Sequence, residues 1–233
     1  MGNNHDRPNG QALDLDPRWE EIYESGEQLN LYPQSSVVSF IFRYLPKEIP
    51  RNEIRVLEIG CGAGNNLWFT AREGLSVSGL DASKSAIEFA RKRFADEQLE
   101  ADFRIGDFTD LPFEDNIFHL AINRAAITQT GRSGALRAVN EVNRTLIPGG
   151  KFFNEIYSDC TTHHGTPGRD GVTVDIKGRL SGVGQICFYD RNQIDQLFES
   201  GWRILDLSHM EIGRQDQAID DIAGEWSFVA EKV

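Results

Sequence analysis

Three glycines, at 60, 62 and 64, follow a short apolar run of Ile54, Val56, Leu57 and Ile59 in the stretch IRVLEIGCGAGNN (54–66). The run is long enough for a buried strand and too short for a helix, and its β-branched members favour the strand. Glycines placed there let the backbone turn sharply and pass close to a ligand, where a side chain would collide. Asn65 or Asn66 then stands where it can cap a following helix, whose first N–H groups and positive dipole end face the same turn. A strand, a glycine turn and a helix N-terminus together suit a small polar ligand. Asp81 is the second anchor. It ends another apolar segment, LSVSGLDAS (75–83), and lies 21 positions after Gly60. That is close to the roughly 20-residue offset at which a carboxylate receives ribose hydroxyls in nucleotide-binding βαβ units. An ionised carboxylate accepts two hydroxyl protons at once.

Taken in order, VLEIGCGAG (56–64), GLDAS (79–83), Gly106-Asp107 and LIPGGKFF (146–153) resemble the class I S-adenosylmethionine-dependent methyltransferases. A dinucleotide fingerprint, G-x-G-x-x-G, would need glycine where Asn65 stands; the spacing here is G-x-G-x-G. The resemblance implies an α/β, Rossmann-like, doubly wound fold. Its seven-stranded sheet would be mostly parallel, with a C-terminal antiparallel pair and an N-terminal helical cap. It also implies S-adenosyl-L-methionine as cofactor, with Glu58, Gly60, Cys61, Gly62, Gly64, Asp81, Ala82, Asp107, Phe108 and Asn123 as the binding residues. In that set Asp81 takes the ribose, Asp107 the adenine amino group, and Phe108 flanks the ring. The implied reaction is in-line transfer of a methyl group to a small or medium-sized molecule. A nicotinamide-dependent reductase would share the fold and Asp81. A non-catalytic S-adenosylmethionine-binding module is the other alternative, because the sequence shows no obligatory catalytic residue.

A sulfonium donor is already activated, so the protein has chiefly to align acceptor, methyl and sulfur and to exclude water. Alignment supplies about 7–11 kcal/mol. Where the acceptor must lose a proton, a base is added. His163 and His164 are the catalytic candidates, with His119, Glu155 and Tyr157 as further possibilities. His119 sits between Phe118 and Leu120 and reads better as a core histidine. The adjacent His163 and His164 cannot easily place both rings on one ion. Cys61, Cys160 and Cys187 are widely spaced, with no C-x-x-C, and read as free thiols. No metal site is expected. No Asn-Pro-Pro-Tyr or Asp-Pro-Pro-Tyr signature follows IFHLAIN (117–123), so the usual mark of base or amide N-methylation is missing.

The elements that must position these residues follow from composition and pattern. With 233 residues, 39% of them hydrophobic, the chain can bury one substantial core. A net charge of −12 disfavours gripping nucleic-acid phosphates or an anionic membrane. No apolar run approaches the roughly 20 residues of a membrane span, and the opening MGNNHDRPNG is polar, so a soluble, cytoplasmic protein with a small-molecule substrate is expected. Residues 1–15 are expected as a disordered or loosely attached tail, 16–50 as a helical cap, and 51–233 as the main domain. In the cap, one helix starts at Asp16-Pro17 with Trp19, Ile22 and Tyr23 on one side, and a second starts at Ser35 or Ser36 and stops at Pro46. Such helices often lie over the cofactor in the resembled family. From 54 onward strands and helices alternate, which argues a parallel sheet covered on both faces. A helix over 133–146 carries Leu136, Val139, Val142 and Leu146 at helical steps. The segment 158–184 interrupts the rhythm with six glycines and is expected as an insertion over the methyl group, where loops carry specificity. RILDLSHMEI and EWSFVAEKV, joined by the acidic loop 213–224, close the sheet as an antiparallel pair.

Overall fold

Alternation of apolar side chains along the central strands decides the layering. A computed structural model describes residues 16–162, 164–213 and 222–233. In it, β1 (Arg55–Ile59) sends Val56 to one face and Leu57 and Ile59 to the other. β4 (Phe118–Arg124) divides Leu120 and Ile122 from Ala121, and β5 (Leu146–Tyr157) divides Phe153 from Phe152. Strands that are apolar on both sides need helices on both sides. On the Val56 face, α2 (Ser35–Tyr44), α3 (Asn65–Arg72) and α4 (Lys84–Asp96) bury Phe40, Leu67, Ile87, Ala90 and Phe94. On the Leu57 face, α5 (Arg132–Thr145) and α6 (Arg191–Leu197) bury Ala135, Val139, Val142 and Ile194.

The remaining strands of the main sheet are β2 (Ser76–Asp81), β3 (Asp102–Ile105), β9 (Trp202–Gly213) and β10 (Ile222–Lys232). The seven-stranded order is β3-β2-β1-β4-β5-β10-β9. The first five strands run parallel, and β10 is antiparallel to both its neighbours. Chain order reverses where β1 meets β4, so the crevice at the C-terminal ends of those strands is the natural ligand position.

Several local expectations are corrected. Gly64, in the left-handed region at φ 73°, is the N-cap of α3, and Asn65 and Asn66 lie inside the helix. Gln34 rather than Ser35 or Ser36 precedes α2 as its cap. Leu136 is 45% exposed, because α5 turns Ala135 and Ala138 to the core in its place. The segment after β5 contains regular structure. β6 (His164–Pro167), β7 (Val172–Lys177) and β8 (Gln185–Cys187) form a small antiparallel sheet. The expected tail 1–15 and residues 214–221 of the acidic loop lie outside the described residues. Among those described, no helix is long and apolar enough to cross a membrane.

Candidate functional site

A cavity of about 250 Å³ opens at the C-terminal ends of β1, β2 and β4. Its floor is the glycine turn. Gly60 and Gly62 hold φ of 61° and 50°, and a Cβ on Gly60 would lie 2.3 Å from the Ala126 Cβ, so glycine is required by conformation and by space. Asp81 closes the turn from the neighbouring strand end. Its Oδ2 accepts the Gly62 N–H at 2.8 Å and its Oδ1 accepts the Ser83 N–H at 2.8 Å. Ser83 in turn caps α4 by accepting the Ala86 N–H at 3.0 Å. Asp81 is 9% exposed, and burial pushes its carboxyl above the usual range against the pull of those bonds.

Glu58, 2% exposed on β1, accepts the Asn66 side-chain N–H on Oε1 at 2.7 Å, while its Oε2 is buried without a partner. Burial pushes its pKa up to about 8; the Asn66 bond opposes this and the Asp81 charge adds to it. Both carboxylates border the cavity, and among the described residues neither forms an ion pair. A cation entering the cavity relieves both penalties at once, so the site is electrostatically set for a positively charged group.

The helix α1 (Arg18–Glu24) crosses the cavity mouth. Glu20 accepts the Ser83 hydroxyl at 2.5 Å and the Ser85 hydroxyl at 2.7 Å, which ties α1 to the start of α4. On the other side the Trp19 indole N–H donates to Gln129 Oε1 at 3.1 Å. Between them Tyr23 stands on the glycine turn, where a Cβ on Gly62 would lie 2.3 Å from its hydroxyl. Burial raises the Tyr23 phenol well above its ordinary pKa. With α1 seated this way, the cavity falls just below the roughly 300–1,000 Å³ usual for ligand pockets.

At the β4 end the wall is made by Arg124, Ala125, Ala126 and Tyr157. Ala125 has φ 59°, a left-handed conformation that costs about 1–2 kcal/mol for a residue with a Cβ. Two bonds hold it: its N–H to the Glu155 carbonyl at 2.8 Å, and the Thr128 hydroxyl to its own carbonyl at 2.6 Å. Arg124 Nε lies 2.6 Å from Glu155 Oε2, and its Nη2 lies 3.6 Å from Glu225. Burial raises both the Glu155 carboxyl and the Tyr157 phenol, so Tyr157 stays protonated and acts as a donor in neutral solution.

Seven of the ten residues picked out as ligand-binding border this cavity: Glu58, Gly60, Cys61, Gly62, Asp81, Ala82 and Phe108. The other three support it from behind. Gly64 packs against Ala90 and Phe103. Asn123 is fully buried, donating to Asn154 Oδ1 and accepting the Ile127 N–H, both at 3.1 Å. Asp107 accepts the Thr109 N–H at 2.7 Å. His163 lies outside the described residues, and His164 opens β6 opposite Lys177. Among the described residues none of 158–184 borders the cavity, which corrects their expected place over it. Instead the Gly182 carbonyl accepts Arg18 Nε–H at 2.8 Å, so the insertion meets α1. His119 sits at the opposite end of β4, where its Nδ1 accepts the Arg55 N–H at 3.0 Å. Sequence reasoning passes over Arg124 and Gln129, although a charged residue at the end of a central apolar strand, as Arg124 is on β4, is a readable signal.

Residues 56–150 match a family model described as a methyltransferase domain. A fatty-acid O-methyltransferase of Mycolicibacterium smegmatis is 36% identical over 115 residues, 48% of this chain and 39% of that protein. The chain spans about two fifths of the length of this and the next two curated relatives. Among solved structures, a Methanosarcina mazei protein titled a SAM-dependent methyltransferase superposes with a TM-score of 0.69 at 20% identity, covering 83% of this chain and 97% of that one. The [4+2]-cyclase SpnF superposes with a TM-score of 0.66 at 17% identity, covering 93% of each chain. These two likenesses show the fold.

Proposed function

We propose that this chain, whose residues 56–150 match a methyltransferase-domain model, binds S-adenosylmethionine in this cavity and methylates a small or medium-sized molecule. The observation that carries the reading is the pair of buried carboxylates, Glu58 and Asp81, unpaired by any described cation at the rim of a glycine turn. S-adenosylmethionine, when bound, supplies a methyl group on a sulfonium. Asp81 keeps lone pairs for ribose hydroxyls beyond the two N–H groups it already accepts, because an ionised carboxylate offers about four acceptor sites. The free oxygen of Glu58 receives the cationic end of the ligand. Phe108 flanks the adenine, with Asp107 behind it. α1 closes over the mouth and excludes water, its indole and phenol rings forming the roof. Arg124 and Tyr157 stand at the acceptor end, where a protonated phenol and a guanidinium orient an oxygen-bearing substrate. The curated relatives' names, a fatty-acid and a ubiquinone-biosynthesis O-methyltransferase among them, support a small-molecule acceptor. Residues 16–50 serve as the cap and 51–233 as the domain it covers.

The test is calorimetric titration of the purified chain with S-adenosylmethionine, S-adenosylhomocysteine and NAD, followed by incubation of a metabolite extract with methyl-labelled donor. Binding of the first two without NAD, and label in a small-molecule product, is the expected result. NAD binding as tight as that of S-adenosylmethionine would overturn it.

A further inference from the structure

A second group of reactive side chains lies away from the cavity. In the β9–β10 register His209 pairs with Trp226 and Glu211 with Gly224, and the two-residue spacing puts all four on one face of the sheet. Glu225, between Gly224 and Trp226, points the other way, to Arg124 at the cavity. The chain leaving β5 crosses over Gly224, pinned there by Thr161, whose hydroxyl donates to the Gly224 carbonyl at 2.9 Å and accepts its N–H at 3.0 Å. A Cβ at 224 would lie 2.1 Å from the Cys160 sulfur, so glycine makes the room in which the thiol lies over the strand. His209 is held in place by stacking on Trp226, with centroids 4.0 Å apart, and by Ser158 Oγ at 2.8 Å from Nε2.

The three ligand-type groups converge. Cys160 Sγ is 3.6 Å from His209 Nε2, and Glu211 Oε1 is 3.6 Å from His209 Nδ1. One donor atom from each of the three lies within 4.8 Å of the others. Zinc bonds of about 2.3 Å to sulfur and 2.0–2.1 Å to nitrogen, at a tetrahedral angle, put those two atoms about 3.5–3.6 Å apart. The Cys160–His209 separation matches that chord, and an ion there takes the Nε2 lone pair in place of the Ser158 hydroxyl. We propose that Cys160, His209 and Glu211 form a binding site for a thiolate-accepting divalent cation of the zinc type, clamping the crossing after β5 to the β9–β10 hairpin.

A hydrolytic reading of the same side chains fails on chemistry. Ser158 is fully buried, out of reach of a substrate carbonyl. A cation suits the trio, because it binds thiolate and carboxylate together and offsets their repulsion. Sulfur and imidazole donors select zinc or cobalt over magnesium or calcium. Cys160 lies 49 residues before His209 along the chain, so no spacing rule reveals the trio.

The test uses the full chain, stripped with chelator and titrated with zinc alone against a chromophoric competitor, and with cobalt(II) alone for its spectrum. One zinc per chain, a thiolate-to-cobalt charge-transfer band, and a zinc-dependent rise in the unfolding midpoint are expected. Cys160→Ser, which changes one atom, and His209→Ala should each weaken zinc binding by at least about tenfold. Equal zinc affinity in wild type and both variants, or a cobalt complex of the wild type without the thiolate band, would overturn the site. The cobalt spectrum needs no variant, so misfolding of a mutant cannot obscure the answer.

Discussion

Replacing Asp81 separates its work in the fold from its proposed work on the ribose. Its two carboxylate oxygens accept the Gly62 and Ser83 N–H groups at 2.8 Å each. A bond to a charged acceptor contributes about 1.5–3 kcal/mol, and Asp81→Ala removes two. Relief of the buried charge and entry of water offset part of this, leaving a net loss of about 2–4 kcal/mol. At about 2–4 °C per kcal/mol for a chain of this size, the ligand-free midpoint should fall by roughly 4–16 °C. Ser83→Ala is the control. It leaves both Asp81 bonds in place, removes the cap on α4 and one hydroxyl bond to Glu20, and should cost about 1–3 kcal/mol. Asp81→Asn is the sharper variant. Its amide oxygen can still take the Ser83 N–H, but its NH₂ then faces the Gly62 N–H, donor against donor. Stability should fall by about half as much as in the alanine variant, while cofactor affinity falls as far. Loss of the ribose bonds, about 2–4 kcal/mol, weakens S-adenosylmethionine binding by roughly thirty- to a thousand-fold. Thermal melts without ligand and calorimetric titration with it supply both numbers. An asparagine variant that binds as tightly as wild type would refute the ribose role, and an alanine variant that melts like wild type would refute the structural one.

Glu58 makes the ligand-free protein sensitive to pH. Its pKa is raised from an ordinary 4.5 to about 8, so the folded state holds the proton more tightly than the unfolded state and stability falls as pH rises from about 4.5 to 8. Melts at stepped pH should show this slope in wild type and a flatter one in Glu58→Gln. Affinity for S-adenosylmethionine should rise over pH 6–8, because a cationic ligand favours the ionised carboxylate; a pH-independent affinity counts against Glu58 as its partner. Glu20→Ala frees α1 from Ser83 and Ser85, so amide exchange over residues 18–24 should quicken in the ligand-free protein and slow again with ligand. Exchange that ignores both the substitution and the ligand would leave α1 as fixed cover.

The glycine turn, the Asp81 strand end and the strand–helix alternation were legible in the sequence because each rests on a local requirement. A left-handed backbone needs glycine, as at 60 and 62, and a strand covered on both faces needs continuous apolar character, as in Val56 and Leu57. Which side chains look into the cavity is a different kind of fact. Asn123 lies in β4 and Asp107 two residues past the end of β3, yet their side chains bond Asn154 and the Thr109 N–H instead of bordering the cavity. Direction depends on register and on packing against other elements, and a shift of one residue along a strand reverses every side chain. Contacts between distant segments are likewise set only when the chain is folded. Tyr23 meets Gly62 because α1 docks on α4, and Cys160 meets His209 because the crossing after β5 lands on the one glycine of β10. Local residue type therefore determined the turn, the strands and their order of appearance. Tertiary packing decided what faces the ligand, because only packing brings together groups that sequence holds apart.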